Sequence, residues 1–230
     1  MNICVIPARG GSKRIPRKNI RNFCGKPMIA WTIEAAKKSN CFAHFLVSTD
    51  DEEIAEIARQ WGAEVPFLRP TELSGDYVAT VPVIAHATQW FNSNVGPTEN
   101  VCCLYATAPF VQAEDLQNGL RILQESKAEY AFSVTSFPFP IQRAIRINSQ
   151  GRVEMFQPEY LNTRSQDLEE AWHDAGQFYW GKAEAWLPGK TIFSIDSAPV
   201  KLARYRVQDI DTFEDWERAE MLFKNCAVLE

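Results

Sequence analysis

Seven of the chain's 24 Lys and Arg residues (Arg9, Lys13, Arg14, Arg17, Lys18, Arg21 and Lys26) lie in its first 26 positions, and no acidic residue precedes Glu34. On a chain with a formal net charge of −5, so dense a cationic segment suits a small polyanion. Its centre reads Ala8-Arg9-Gly10-Gly11-Ser12-Lys13-Arg14-Ile15-Pro16-Arg17-Lys18-Asn19. Two adjacent glycines let a backbone approach a ligand closely and aim successive N–H groups at an anion. Arg adds a bidentate grip on phosphate and Lys a point charge. The spacing is neither the G-x-G-x-x-G of a dinucleotide site nor the G-x-x-x-x-G-K-[ST] of a P-loop. Composition alone leaves a second reading open, a solvated basic loop.

A second chemical feature stands near the other end, in Asp209-Ile210-Asp211-Thr212. If that segment is extended, Asp209 and Asp211 point to the same side and offer hard oxygen donors to a cation such as Mg²⁺. Asp211, three residues before Glu214, also suits the N-cap of a final helix. Three histidines (His44, His86, His173) are too few and scattered for an all-histidine metal site. Six cysteines (Cys4, Cys24, Cys41, Cys102, Cys103, Cys226) lack C-x-x-C spacing and read as buried thiols.

Elements able to position these groups follow in a regular cadence. Asn2–Pro7 is predicted as a strand, Met28–Ser39 as a helix, and His44–Ser48 as a second strand. A helix carrying Ile54, Ile57, Ala58 and Trp61 comes next, with a capping box from Thr49 and Glu52 or from Asp50 and Glu53. A short run over 65–68, a helix over 78–91, a strand over 101–105 and a helix marked by Leu116, Leu120 and Leu123 complete the first half. Strand and helix alternating in this way predict an α/β fold, a doubly wound, mainly parallel sheet. Beyond about Ala131 the rhythm breaks at Pro138, Pro140, Gly151 and Pro158, with a charged helical stretch over 166–172. The chain then returns through runs over 176–180 and 200–205 to a helix from about Thr212, with Trp216, Ala219 and Phe223 inward. Residues 1–230 read as one domain with a smaller lobe inserted at about 137–175.

At 230 residues, 46% hydrophobic and 23% charged, the chain can bury a full core. No run reaches membrane-spanning length and the first residues show no secretory pattern, so a cytoplasmic protein is expected. Acidic overall balance argues against nucleic acid as a partner.

The order of residues says more than their composition. Ile6-Pro7-Ala8-Arg9-Gly10-Gly11-Ser12-Lys13-Arg14-Ile15-Pro16-Arg17-Lys18-Asn19-Ile20 with Gly25-Lys26-Pro27-Met28 resembles the N-terminal signature of the acylneuraminate cytidylyltransferases. Val47-Ser48-Thr49-Asp50-Asp51-Glu52, Leu68-Arg69-Pro70-Thr71-Glu72-Leu73, Thr107-Ala108-Pro109 and Asp209-Ile210-Asp211-Thr212 extend the match in family order.

The resemblance implies a nucleotidyltransferase-type sheet with a dimerisation lobe, a homodimer, and joining of CMP from CTP to a nine-carbon acidic sugar with Mg²⁺. In such enzymes the anomeric hydroxyl attacks the α-phosphate. It assigns Ala8, Arg9, Gly10, Ser12, Lys13, Lys18, Asn19, Arg69 and Thr80 to the nucleotide, Arg9, Lys18, Asp209 and Asp211 to catalysis, and Asp209 and Asp211 to the metal. Tyr105, Gln142, Arg164, Gln177 and Phe178 are expected at the sugar. Arg164 also reads as an ordinary exposed helix arginine, and His173 beside Asp174 as either a substrate contact or a strand cap.

Tyr105 stands where sialic acid enzymes commonly carry a glutamine. With Phe137-Pro138-Phe139-Pro140-Ile141-Gln142-Arg143 and 162–180, this resembles the branch acting on pseudaminic acid. Phe137, Phe139, Phe178, Tyr179 and Tyr105 would then supply apolar surface around the sugar's methyl groups. CMP-sialic and CMP-legionaminic acid synthesis are the alternatives, and a non-catalytic nucleotide-binding module a third. Retention of Lys18, Asp209 and Asp211 argues against the last. The first-loop sequence argues against a CMP-Kdo synthetase.

Overall fold

The structure, a computed structural model, describes residues 1–226. In chain order the main elements are β1 (Asn2–Pro7), α1 (Met28–Ser39), β2 (His44–Ser48), α2 (Glu52–Gln60), α3 (Thr80–Asn94), β3 (Asn100–Leu104), α4 (Ala113–Ser126), β4 (Tyr130–Ser136), β5 (Trp172–Lys182), α5 (Ala183–Trp186), β6 (Ser197–Lys201) and α6 (Phe213–Cys226). Six strands form one sheet in the order β6-β4-β5-β3-β1-β2. β1 runs parallel to β2 and β3, and β4 parallel to β6, while β5 is antiparallel to both its neighbours.

Both faces of the sheet are apolar, as a doubly wound fold requires. Successive residues of β1 alternate between two cores: Cys4 and Ile6 join Ile29, Ile33, Leu116 and Leu123 on one face, whereas Ile3 and Val5 join Ile84, Phe91 and Trp186 on the other. α4 approaches so closely at Gly119 that an added Cβ would lie 2.7 Å from Trp180. A third core seats α6 on the first loop, with Ile15, Phe23, Met28, Trp216 and Ala219 buried together. Cys4, Cys102 and Cys103 are fully buried, which pushes their thiols up, and Cys24 and Cys41 are free and half-buried. The side chain of Cys226 lies outside the described residues.

Three local expectations change. The run over 65–68 forms no strand: Leu68 makes an isolated bridge to Thr49, and Glu64 just before the run makes another to Leu46. α2 is capped by Asp51, whose carboxylate accepts from the Ile54 N–H at 3.0 Å, rather than by Thr49 or Asp50. The charged stretch over 166–172 is not a helix: it holds a short 3-10 turn, Ser165–Asp167, and then enters β5. Glu169, Glu170 and their neighbours bring no apolar stripe to bury, and an isolated charged turn does not sustain a helix. The chain leaves the sheet after Ser136 and returns opposite it at Trp172. Between them lies a small antiparallel ribbon, Ile145–Ile147 with Val153–Met155, flanked by 3-10 turns.

Candidate active site

The carboxyl ends of β1, β2 and β3 meet at one edge of the sheet, the usual place for a ligand in an open α/β sheet. Antiparallel β5 brings its first half to the same edge, pairing Leu104 with Phe178. The loop after β1 is tied down by backbone and side-chain bonds. Ala8, 1% exposed, donates its N–H to the Ser48 carbonyl at 2.9 Å, and the Gly10 N–H donates to Asp50 Oδ1 at 2.9 Å. Asn19 is buried and donates Nδ2–H to the Arg9 carbonyl at 2.9 Å. Gly10 is required sterically, since a Cβ there would sit 2.6 Å from Asp51 Oδ2, while Gly11 has nothing within 4 Å.

Arg17 takes a left-handed φ of 59° and forks onto Asp51, with Glu53 beside it. The Arg17 guanidinium holds the Asp51 carboxyl below its usual range. Arg17 is therefore an anchor of the loop, which leaves Arg9, Ser12, Lys13, Arg14, Lys18 and Asn19 to line a cleft of about 430 Å³.

The opposite walls of that cleft are Arg69, Asp76, Val78, Thr80 and Val83, then Tyr105, Ala106 and Thr107, and finally Asp211. Seven of the nine residues expected at the nucleotide (Arg9, Ser12, Lys13, Lys18, Asn19, Arg69 and Thr80) thus line one hollow, and Ala8 and Gly10 support it from the same loop. Arg69 is buried and donates Nε–H to Ser48 Oγ at 3.1 Å, holding β2 against the Leu-Arg-Pro turn, and burial lowers its pKa. α3 starts at Thr80 with no side-chain cap and no acidic residue in its first turn, leaving the positive end of its dipole at the wall. Asp76, which sequence reading missed, receives Arg9 at 2.5 Å and also Lys13. Nothing in the local sequence distinguishes it from any acidic turn residue.

At the far end of the cleft Lys18 donates to the Ile210 carbonyl at 2.6 Å and to Asp211 Oδ1 at 3.3 Å, and Arg14 pairs with Asp211 Oδ2 at 2.8 Å. The alternative role for Asp211 is filled by its neighbours: Thr212 accepts from the Asp215 N–H at 3.2 Å and donates its own N–H to Asp215 Oδ2 at 2.8 Å, a reciprocal cap for α6. Burial and then the charge of Asp211 push the Asp209 carboxyl up, with Lys18 opposing. Among the described residues no group of three or more Asp, Glu, His or Cys side chains is placed to hold a metal ion. Of the two carboxylates expected at the metal, Asp211 lines the cleft and is already paired with Arg14 and Lys18, whereas Asp209 is not among the residues lining it; a hard divalent ion bound here would relieve the repulsion between them.

The residues expected at the sugar separate. Tyr105 lines the cleft, 3.1 Å from Thr80 Oγ1 through its hydroxyl. Phe178 does not: it is fully buried in the core between the sheet and α4. Gly176, at φ 62°, opens a bulge in β5 against Phe132 and Val134 that sets which residues turn inward. Gln177 is also buried and donates to the Arg206 carbonyl at 2.6 Å. Gln142 bonds the Glu169 carbonyl and exposed Arg164 forks onto Asp167, both away from the cleft in the protruding segment. Of the expected apolar set, Phe139 is 78% exposed, and Phe137 packs on His173 with ring centroids 4.7 Å apart. His173 donates Nδ1–H to the Asp174 carbonyl, 2.9 Å away. A larger hollow of about 690 Å³, lined by Trp31, Lys38, Phe110 and Phe223 among others, contains none of the expected site residues.

The sequence profile of the family described as cytidylyltransferase matches residues 3–228. This chain belongs to that family. Enzymes of this kind generally use a divalent metal ion. The chain is 45% identical to the pseudaminic acid cytidylyltransferase of Campylobacter jejuni, over 97% of itself and 96% of that protein. It is 33% identical to the CMP-N,N'-diacetyllegionaminic acid synthase of Legionella pneumophila, over 96% of each. Its fold is similar to that of a CTP complex of CMP:2-keto-3-deoxy-manno-octonic acid synthetase, with a TM-score of 0.71 at 16% identity, covering 97% and 98% of the two chains. The mainly parallel sheet with helices on both faces is thus that of a nucleotidyltransferase, as the family cadence implies. No helix among the described residues is long and apolar enough to cross a membrane.

Proposed function

We propose that this cytidylyltransferase joins CMP from CTP to pseudaminic acid, releasing pyrophosphate. The observation that carries the reading is the convergence, in one cleft, of the cationic first loop, the Arg69–Thr80 wall, Asp211 and Tyr105. Arg9, Lys13 and Lys18 neutralise the triphosphate and hold its α-phosphorus for attack by the sugar's anomeric hydroxyl, with charge-assisted contacts that strengthen as charge develops. Asp209 and Asp211 are assigned to Mg²⁺, which would supply charge neutralisation at the phosphates when bound. Tyr105 faces the second substrate, and the printed names of the most similar relatives support pseudaminic acid as that substrate.

Residues 137–161 carry Phe139, Ile145, Ile147, Val153, Phe156 and Leu161 in exposed positions, between 55% and 78%. Such apolar exposure on a protruding ribbon supports a dimerisation lobe and a homodimer. A cytoplasmic location fits the use of CTP. The deciding experiment is pyrophosphate release with CTP, Mg²⁺ and a panel of nonulosonic acids. At least about a tenfold preference in kcat/KM for pseudaminic acid over N-acetylneuraminate is expected, since that needs only ~1.4 kcal/mol of differential binding. Equal or better turnover of N-acetylneuraminate or a legionaminic acid would overturn the substrate assignment, and no turnover with any sugar would overturn the reaction.

A further inference from the structure

Of the five cations from Arg9 to Lys18, four line the cleft and Arg17 does not. Its guanidinium forks onto Asp51 at 2.5 and 2.9 Å and also meets Glu53. Asp51 is itself held, accepting the Ile54 N–H as the N-cap of α2, and its neighbour Asp50 accepts the Gly10 N–H at 2.9 Å. Two consecutive carboxylates at the end of β2 therefore grip both arms of the first loop. Arg17 also takes the left-handed φ of 59°, and its carbonyl accepts the Ile20 N–H at 3.0 Å and the Arg21 N–H at 2.9 Å. A residue with a Cβ persists in that region only where its surroundings over-determine it, and such positions cluster at functional sites.

The bend sends adjacent side chains to opposite walls. Arg17 reaches the start of α2, whereas Lys18 reaches the Ile210 carbonyl at 2.6 Å on the segment before α6. Asn19, next in the chain, returns to the Arg9 carbonyl at 2.9 Å. We infer that Arg17 is a positioning residue for the nucleotide: its clamp on Asp51 fixes the point from which Lys18 reaches the triphosphate. The inference rests on the proposed assignment of Lys18 to CTP. Arg17 thus contributes geometry and Lys18 contributes charge. Lysine is no substitute at position 17, because a point charge cannot fork onto Asp51 as a planar guanidinium does.

The test is a double-mutant cycle read by calorimetric titration with CTP and Mg²⁺ on wild type, Arg17→Gly, Lys18→Ala and the double variant. Glycine adopts the left-handed φ without steric cost, so Arg17→Gly removes the clamp and leaves the bend allowed. It is expected to bind CTP about tenfold more weakly than wild type, and the same substitution in Lys18→Ala to cost about twofold or less, because the group it positions is gone. Asp51→Asn keeps an oxygen for the α2 cap but offers Arg17 no carboxylate, and should weaken CTP by about the same factor as Arg17→Gly. Arg17→Lys should recover only part of the loss. Should Arg17→Gly fail to fold, Arg17→Asn, which also tolerates that φ, takes its place in the cycle. Unchanged CTP affinity in Arg17→Gly, an equal loss with and without Lys18, no effect of Asp51→Asn, or full recovery in Arg17→Lys would each overturn the inference while leaving Lys18 at the phosphates. Wild-type affinity in Lys18→Ala would instead overturn the assignment of Lys18, and the inference with it.

Discussion

Lys18 and Asp211 stand 193 positions apart along the chain, yet the Lys18 ammonium donates to the Ile210 carbonyl at 2.6 Å and lies 3.3 Å from Asp211 Oδ1. The contact closes the first loop onto the segment before α6 and fixes a half-buried cation at one end of the cleft. Arg14 meets the same carboxylate from a position 65% exposed.

These two cations differ in what they can contribute. An exposed ion pair is worth about 0.2–1 kcal/mol, whereas a charge-assisted contact that strengthens in the transition state is worth roughly 2–4 kcal/mol. Lys18→Ala is expected to cut kcat/KM for CTP by about 30-fold to 1,000-fold. Arg14→Ala should cost about fivefold or less. Steady-state kinetics on the two folded variants checks this, and equal damage would show that bulk charge, not a placed ammonium, matters.

The proposed metal role of Asp209 links the metal to stability. Its folded carboxyl pKa is raised by burial and by Asp211. The native chain therefore binds more protons than the unfolded one between the ordinary carboxylate pKa and the raised value, and stability falls as pH rises through that window. Asp209→Asn removes the penalty, so its Tm at neutral pH should equal or exceed that of the metal-free wild type, with the gain vanishing in acid. Activity should nevertheless fall by most of its value, and Mg²⁺ should no longer raise the Tm. A fully active Asp209→Asn enzyme with an unaltered response to Mg²⁺ would contradict the assignment.

The two glycines of the loop make a paired test. A Cβ on Gly10 would press within 2.6 Å of Asp51 Oδ2, a group already held by Arg17, so Gly10→Ala should lose about 1–3 kcal/mol of stability. Gly11 has open space around it, so Gly11→Ala should unfold within about 0.5 kcal/mol of wild type. Loss of CTP binding in Gly11→Ala without loss of stability would mark close approach of the ligand's phosphates to that backbone. Denaturant melts and CTP titrations separate the two effects.

What was legible in the sequence is what is local in it. The phosphate-facing loop keeps its cations and glycines within a dozen residues, and the strands of the sheet's centre advertise themselves as continuous apolar runs. Partners that meet only in space were not legible. Asp76 is one acidic residue in a turn until the fold delivers it to Arg9 and Lys13. Family order places Phe178 at the sugar, but the bulge at Gly176 governs which β5 side chains enter the core, and no spacing in 172–182 announces a bulge. The same bulge brings Asp174 under Tyr179. In the sequence Arg17 is one more cation of the basic segment, because its left-handed backbone and its pairing with Asp51 are properties of the folded loop.

Asp76 supplies the last expectation. Its carboxylate receives both Arg9 and Lys13, the cations proposed to hold the triphosphate, and these two hydrogen bonds hold its pKa down. Stability from this contact is present above the ordinary carboxylate pKa and lost only as pH falls through the lowered one, so the carboxylate is charged wherever the enzyme works. CTP must therefore displace an anion before it can be gripped. Asp76→Asn keeps the shape and removes the competing charge, and CTP should bind a few-fold more tightly, most visibly at low ionic strength where exposed charges are least screened. Calorimetric titration of CTP at two salt concentrations measures it. Weaker binding in Asp76→Asn would mean that the carboxylate instead holds Arg9 and Lys13 in place for the phosphates.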